Sequence, residues 1–119
     1  MIELNNKTYD SSSELFFEIF NDKLKLYIVW HLQKNSMRFK ELSEVLSPIT
    51  NKTLSAKLKE LEALDLVIRK TYAEVPPRVE YSLSVQGKYL RPVIEEILSW
   101  SQKYATYIID KEGKKKHIA

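Results

Sequence analysis

The most informative part of this sequence is one amphipathic stretch, Ile49-Thr50-Asn51-Lys52-Thr53-Leu54-Ser55-Ala56-Lys57-Leu58-Lys59-Glu60-Leu61-Glu62-Ala63-Leu64-Asp65-Leu66. Its leucines recur at helical spacing and predict a helix over about 51–64 with one stripe facing a core. Thr50 stands just before this run, where a threonine can cap the first turn. The opposite side of the helix carries small and basic side chains, namely Lys52, Ser55, Ala56 and Lys59.

A helix face of this kind can enter the major groove of DNA. Alanine and serine let the backbone come close to the base edges, and lysine reaches phosphates or guanines. Lys57 lies on the flank of this face, where we expect solvent or a phosphate to be its partner. Taken alone, the pattern is also that of an ordinary amphipathic surface helix, so the neighbouring segments have to decide between the two interpretations.

The segment before this stretch favours DNA binding. Residues 40–46 predict a short helix that Ser47-Pro48 ends, and a short helix, a tight turn and a longer helix form a helix-turn-helix. Met37-Arg38-Phe39 precedes the short helix and could pair as a small strand.

A β-hairpin is predicted directly after the helix-turn-helix. Residues 66–72 are rich in β-branched side chains, residues 78–83 alternate, and the stiff loop Ala73-Glu74-Val75-Pro76-Pro77 joins them. A hairpin in this place is a wing. Lys70 and Arg78 stand near its tip and could touch backbone phosphates or a minor groove.

Three further helices are predicted. The first covers about 12–20, behind serines that can cap it, and the second, about 23–34, is apolar nearly all round and should be the central buried helix. The last covers about 85–107, and Pro92 should kink it because proline cannot donate a helical hydrogen bond.

Broad apolar surfaces on the first and last helices predict a homodimer. The small domain between them has little core left to cover these surfaces, so a second subunit is the expected partner. A last helix folded back on its own domain is the alternative. The residues that we assign to the dimer interface are Phe16, Phe17, Phe20, Leu90, Ile94, Ile97, Leu98, Trp100, Ser101 and Tyr104.

Composition restricts the chemistry of the chain. It has 119 residues and a formal net charge of +3, and its positive excess lies in residues 34–91. Cysteine is absent, which excludes disulfides, thiol catalysis and cysteine-based zinc sites. His31 and His117 are far apart in the sequence, so no metal site is expected, and His31 suits a core position. No nucleophile–base pair, carboxylate pair or phosphate loop stands out, so we expect neither an enzyme nor a cofactor.

The expected location is the cytoplasm. No run of apolar residues is long enough to cross a membrane, and the N-terminus lacks the pattern of a signal peptide.

Together these patterns predict a mainly α-helical protein with a small β-hairpin wing, a winged helix-turn-helix that dimerises through its first and last helices. Residues 1–11 are expected to form an N-terminal arm, either loose or packed across a partner. Residues 12–108 form the winged helix-turn-helix domain with its dimerisation helix. Residues 109–119 are expected to be a basic flexible tail, solvated or in contact with phosphates.

The motifs resemble those of the HxlR-type bacterial regulators, dimeric winged helix-turn-helix proteins related to the MarR group. The resemblance covers about residues 14–104. Its most specific segment is Tyr72-Ala73-Glu74-Val75-Pro76-Pro77-Arg78-Val79-Glu80-Tyr81-Ser82-Leu83, followed by Gly87. The other matching segments are Lys23, Trp30-His31-Leu32, Arg38-Phe39-Lys40-Glu41-Leu42, Ile49-Thr50-Asn51-Lys52-Thr53-Leu54, Leu58-Lys59-Glu60-Leu61-Glu62 and Leu66-Val67-Ile68-Arg69.

This resemblance implies a DNA-binding transcription regulator, with Phe39 packing where the helix-turn-helix begins. We expect a homodimer that binds a pseudo-palindromic operator in double-stranded DNA. Combined with the residue patterns, the resemblance assigns DNA contacts to Arg38, Lys40, Asn51, Lys52, Thr53, Ser55, Ala56, Lys59, Lys70 and Arg78.

Two departures from the family pattern matter. Many members carry a cysteine before the first helix, and some use it to sense electrophiles or oxidants. Ser11 stands at the nearest equivalent position here, and the chain has no cysteine anywhere, so thiol sensing is excluded. Members also often have a tryptophan after a Gly-Gly-Lys that precedes the second helix. The stretch Asn21-Asp22-Lys23-Leu24 replaces it with a smaller side chain and leaves more room between the first two helices.

Two alternatives stay open. A small-molecule effector could occupy an aromatic pocket at the dimer interface, although plain aromatic core explains the same residues: Tyr27, Trp30, Phe16, Phe20, Trp100 and Tyr104. The chain could also be a winged-helix protein-interaction module without a DNA role.

Overall fold

The computed structural model describes the backbone of residues 1–118 and the side chains of residues 1–113. The elements in this part of the chain are β1 (Ile2–Leu4), β2 (Lys7–Tyr9), α1 (Ser12–Ile19), α2 (Lys23–His31), α3 (Phe39–Val45), α4 (Asn51–Ala63), β3 (Val67–Tyr72), β4 (Arg78–Leu83), α5 (Val85–Lys88) and α6 (Arg91–Ile118). Helices α3 and α4 form the helix-turn-helix, and the antiparallel pair β3–β4 is the wing. The predicted mainly α-helical winged helix-turn-helix fold is confirmed, and dimerisation through the first and last helices stays a prediction.

The core lies where α2, α3 and α4 meet the wing. Its fully buried side chains come from all three helices, and Val67 and Leu83 add the base of the wing. The predicted inner stripe of α4 is confirmed for Leu54, Leu58 and Leu61, while Leu64 is half-buried. Burying a side chain of this size contributes about 1.5–3 kcal/mol, so this stripe holds α4 in place. The buried helix residues are Ile28, Val29, Leu32, Leu42, Leu54, Leu58, Leu61 and Ile94.

Side-chain caps set the start of the helices that surround the core. Thr50 Oγ1 accepts a hydrogen bond from Thr53 N at 3.2 Å, as the sequence predicts. Asp22 Oδ1 does the same for the first turn of α2, accepting from Leu24 N at 3.0 Å. Such a cap contributes about 1 kcal/mol.

The wing is tied to the helix-turn-helix at both of its ends. Asp65 adopts a left-handed conformation with φ 59° and turns the chain out of α4 into β3. Ser84 Oγ donates to Asp65 O at 2.7 Å and accepts from Gly87 N at 3.1 Å. A Cβ on Gly87 would lie 2.4 Å from Leu66 O, so only glycine fits there. Met37 also pairs with Tyr81, which confirms the predicted small-strand contact.

The N-terminal residues form a hairpin, so the expectation of a loose arm is wrong, while packing across a partner stays a prediction. Strands β1 and β2 pair in antiparallel fashion, with Ile2 opposite Tyr9. Asn5 and Asn6 make the turn with positive φ angles of 50° and 65°. Asparagine tolerates this conformation better than most residues, which allows a tight two-residue turn.

The last two helices also differ from the sequence-based prediction. The expected single kinked helix is instead α5 and α6, separated at Tyr89–Leu90. Pro92 occupies the first turn of α6, where a missing N–H costs no helical bond. Helix α6 continues through Ile118 and passes the predicted end near Tyr107. The side chains of the predicted basic tail from Lys114 onward lie outside the described residues.

Candidate nucleic-acid interface

Helix α4 presents the face that the sequence assigns to DNA. Lys52, Ala56 and Lys59 are exposed on it, and Ser55 is half-buried. The opposite side of the same helix is the buried leucine stripe. The helix therefore offers a narrow basic surface with small side chains between the lysines, which lets its backbone approach a partner closely.

Helix α3 fixes the start of α4. Ser43 Oγ donates to Asn51 Oδ1 at 3.2 Å, which joins the two helices of the helix-turn-helix. Thr50 Oγ1 and Thr53 Oγ1 lie 2.9 Å apart, so the Thr53 hydroxyl also serves the helix start. Both Asn51 and Thr53 remain exposed. Their side chains help to fix the start of α4 and are also accessible to a partner.

Helix α2 holds α4 through a network of ion pairs. Lys57 Nζ lies 2.8 Å from Asp22 Oδ2, and Lys25 Nζ lies 2.8 Å from Glu60 Oε2. Lys25, which is buried, also donates to Ile19 O at 3.1 Å. The expectation that Lys57 meets solvent or a phosphate is wrong, because Asp22 is its partner. The pairing joins residues that are distant in sequence, and helical periodicity carries no information about it.

The contact between Lys57 and Asp22 changes the proton affinity of both groups. Burial acts to raise the pKa of Asp22, but hydrogen bonds from the Lys57 side chain and the Lys25 N–H oppose it. Together with the charge of Lys57, they leave the pKa below its usual value of 3.8. The hydrogen bond to Asp22 raises the pKa of Lys57 above its usual 10.5, against a smaller opposing effect of burial.

Two basic residues of the wing, Lys70 and Arg78, lie against the ring of Tyr72. Arg78 Cζ lies 4.0 Å from the centre of the Tyr72 ring, and Lys70 Nζ lies 4.8 Å from it. Arg78 Nη2 is 3.4 Å from Glu74 Oε1, and its Nε is 3.7 Å from Glu80 Oε1. The Arg78 side chain is only 28% exposed. Arg78 is therefore engaged within the wing, and its contact with phosphates or a minor groove stays a prediction.

The start of α3 carries two more basic residues. Arg38 and Lys40 are exposed, and Arg38 N donates to Glu41 Oε1 at 2.9 Å, which caps the helix. Phe39 packs against the core, which agrees with the packing role expected for it.

Helix α6 exposes a long apolar stripe. Trp100 is 64% exposed and stacks on Tyr104 at 5.1 Å between ring centres. Ile97 and Leu98 are exposed as well. Other large apolar residues of α6 are exposed too, namely Val93, Tyr107, Ile108 and Ile109.

The other residues assigned to the dimer interface differ in their exposure. Phe17 on α1 is 69% exposed, and its ring contacts Phe16 edge-on at 5.4 Å. Phe20 and Leu90 pack against the core. Ile94 is only 4% exposed, so it belongs to the core of its own subunit and offers little surface to a partner.

The aromatic residues considered for an effector pocket do not gather in one cavity of the described chain. Tyr27 borders a cavity with Pro48 and Ile49, Trp30 borders a second, and Phe16 and Phe20 border a third. Within the described residues, no group of three His, Asp or Glu side chains could hold a metal ion. None of the described helices is long and apolar enough to cross a membrane.

Comparison with known proteins identifies the family. Residues 19–108 match the family model of the HxlR-like helix-turn-helix. An uncharacterized HTH-type transcriptional regulator of Halalkalibacterium halodurans is 46% identical over 86 residues, which are 71% of this chain and 76% of that protein.

Two solved structures show the same fold. A MarR-family regulator from Porphyromonas gingivalis W83 has a TM-score of 0.75 and 33% identity, over 81% of this chain and 94% of that one. The redox regulator HypR in its reduced form has a TM-score of 0.77 and 32% identity, over 82% of this chain and 97% of that one. The relatives are transcriptional regulators and not enzymes, as expected for this chain. The chain belongs to the HxlR-like helix-turn-helix family of DNA-binding transcriptional regulators.

Proposed function

We propose that this protein binds a pseudo-palindromic operator as a homodimer, with α4 in the major groove and the wing beside it. One observation carries the proposal: α4 exposes Lys52, Ala56 and Lys59 on a helix whose other side is held by buried leucines and two ion pairs. A helix that contacts base edges has to be held rigidly, because hydrogen bonds to bases tolerate little displacement of the side chains. Arg38 and Lys40 add charge suited to phosphates.

The apolar stripe of α6 supports the dimer. An aromatic stack as exposed as Trp100 on Tyr104 is unusual on a monomer surface, and a second copy would bury it. Phe17 on α1 extends the apolar surface available to that copy. In a two-fold dimer, the two α4 helices would meet major grooves about 34 Å apart.

The proposed regulator works without a thiol switch in this chain. Cysteine is absent from all 119 residues. Ser11, which the family resemblance places where many members carry a cysteine, caps α1 by accepting from Glu14 N at 3.3 Å. The solved relative HypR is described as a redox regulator. We propose that this chain acts in the cytoplasm and responds to something other than thiol oxidation.

Selection of bound sites from random DNA with the purified protein tests the proposal. An inverted repeat with half-sites one helical turn apart would support both the dimer and the assigned helix. Failure to retain random DNA or heparin at low salt would contradict a DNA role, because true DNA binders keep non-specific affinity there. The winged-helix protein-interaction module is the function that such a result would favour.

A further inference from the structure

A cavity of about 250 Å³ lies between the N-terminal hairpin, the end of α1 and the last turns of α4, and we propose that it binds an aliphatic α-amino acid. The DNA-binding role does not require this cavity. Strands β1 and β2 precede residues 19–108, which match the family model, so part of the lining comes from outside that match. The charged residues of the lining are Lys7, Glu18, Lys25 and Glu60.

These four residues are two acids and two bases, so their formal charges cancel. A ligand with a single charge would leave one sign unmatched, whereas a zwitterion meets both. An α-amino acid carries its two charges on neighbouring groups, and Lys25 Nζ lies only 2.8 Å from Glu60 Oε2. The ligand can therefore place its carboxylate beside the ammonium of Lys25 and its ammonium beside the carboxylate of Glu60.

Lys25 offers a buried ammonium with a donor to spare. Its side chain is only 9% exposed, and Nζ donates to Ile19 O at 3.1 Å and pairs with Glu60 Oε2. A lysine ammonium has three donors, so among the described residues one is left for an acceptor in the cavity. An acceptor there is favourable, because a buried donor without a partner costs free energy.

Glu60 has a carboxylate oxygen available for the ammonium of the ligand. Its contacts with Lys25 and Lys57 in the described chain both use Oε2, which leaves Oε1 as an acceptor. The last turn of α4 borders the cavity at Ala63 and Leu64. A helix C-terminus carries a partial negative charge, which adds to the attraction for an ammonium group.

The remaining walls suit an aliphatic side chain. Leu4, Ile19 and Leu64 border the cavity and are half-buried, so a ligand that covers them removes apolar surface from water. Lys7 and Glu18 pair at 3.2 Å but are exposed, and such pairs are weak enough for either group to turn to a ligand. The cavity is smaller than the roughly 300–1,000 Å³ of drug-sized sites, which suits a single amino acid.

Calorimetric titration of the full chain without DNA tests the proposal. The probe is L-leucine, with two analogues as comparisons: 4-methylpentanoate, which lacks the ammonium group, and 3-methylbutylamine, which lacks the carboxylate. We expect leucine to bind at least about tenfold more tightly than either analogue, because each analogue loses the charge-assisted bonds of one group. An analogue that binds as tightly as leucine, or no binding of leucine at millimolar concentration, would overturn the proposal.

Matched variants locate the site. Glu60→Gln keeps the shape of the side chain but removes its charge, and it should weaken leucine binding about tenfold. Because this change leaves the buried Lys25 without its carboxylate, thermal unfolding has to show that the variant folds. Glu18→Gln lies at an exposed position, should unfold like the parent and should weaken leucine binding severalfold.

Glu44→Gln is the control, since Glu44 is an exposed acid on α3 outside the cavity, and it should leave leucine binding unchanged. Unchanged affinity in Glu18→Gln or in folded Glu60→Gln would contradict the site, as would an equal loss in the control. Because DNA is absent from the titration, none of these outcomes depends on the proposed DNA-binding function.

Discussion

Lys57 Nζ donates to Asp22 Oδ2 across 2.8 Å, and this contact joins α4, the second helix of the helix-turn-helix, to the first turn of the central helix α2. Asp22 uses its other oxygen to cap that turn. One carboxylate therefore holds the start of α2 and the middle of α4 together.

Asp22→Asn should weaken this junction without removing the cap. Asparagine caps a helix as well as aspartate does, so the change isolates the charge. Because the pair is partly exposed, we expect the free energy of unfolding to fall by only about 0.5–1 kcal/mol at neutral pH, measured by urea denaturation. In Lys57→Met, a further Asp22→Asn change should cost much less. Equal losses in both backgrounds would show that the two groups do not interact.

The same pair should affect how the free energy of unfolding falls at acidic pH. The pKa of Asp22 is lower in the folded chain than its usual 3.8, so the unfolded chain binds more protons near that pH. This contribution is fully present above about pH 4 and is lost as the pH falls through the folded pKa. Urea titrations between neutral pH and pH 3 should therefore show a shallower decline in Asp22→Asn than in the parent. Parallel curves would contradict the lowered pKa.

Gly87→Ala should be strongly destabilising, since its methyl group would lie 2.4 Å from the Leu66 carbonyl oxygen. We expect a loss of about 2 kcal/mol or more in thermal or urea unfolding, as for overpacked sites. Gly113→Ala is the matched control, because nothing lies near a Cβ at that helical position. It should be neutral or stabilising by up to about 1 kcal/mol. A similar loss in both variants would rule out the steric explanation.

Lys59→Ala should weaken operator binding and flatten its dependence on salt. Loss of one phosphate contact lowers the slope of log K against log salt by about 0.9. Lys103→Ala, an exposed lysine on α6, is the control and should leave both quantities unchanged. An unchanged slope in Lys59→Ala would mean that this lysine does not contact phosphate.

The carboxylates beside Arg78 should limit its contact with DNA. Glu80→Gln removes one of the two acids that hold Arg78 and reduces the negative charge near DNA. We expect non-specific DNA affinity to rise severalfold at low salt, and Arg78→Ala in the same background should abolish the gain. A gain that survives Arg78→Ala would show that the acid acts by simple charge repulsion.

Trp100→Glu should convert a dimer to a monomer in sedimentation analysis, because it places a charge within the apolar stripe of α6. Val85→Glu is an equally apolar-to-acidic change at an exposed site on α5 and should preserve the dimer. If both variants stay dimeric, the interface lies elsewhere.

Periodicity predicts most of the fold but not the partners of individual side chains. The inner stripe of α4 and the two strands of the wing follow from repeats of apolar residues, so their existence and approximate limits were predictable. The pairing of Lys57 with Asp22 depends on how α2 crosses α4. Local sequence patterns do not predict this crossing. The engagement of Arg78 by Tyr72 likewise follows from strand register.

Two local signals predict features that the repeats of apolar residues do not. Asn5 and Asn6 suit a tight turn with positive φ angles, which predicts a hairpin where a loose arm was expected. Proline is common in the first turn of a helix and disrupts the interior of one. Pro92 therefore fits the start of a new helix as well as a kink.

The junction at Leu66 has a mechanical consequence. Its carbonyl accepts from both the N–H and the hydroxyl of Ser84, and Gly87 leaves no free space beside it. These contacts join α4, the wing and α5 into one rigid unit. Leu90 and Ile94 pack on the same core, so the start of α6 belongs to this unit as well. In the proposed dimer, a change in the distance between two such units would therefore require motion in α6 beyond Ile94.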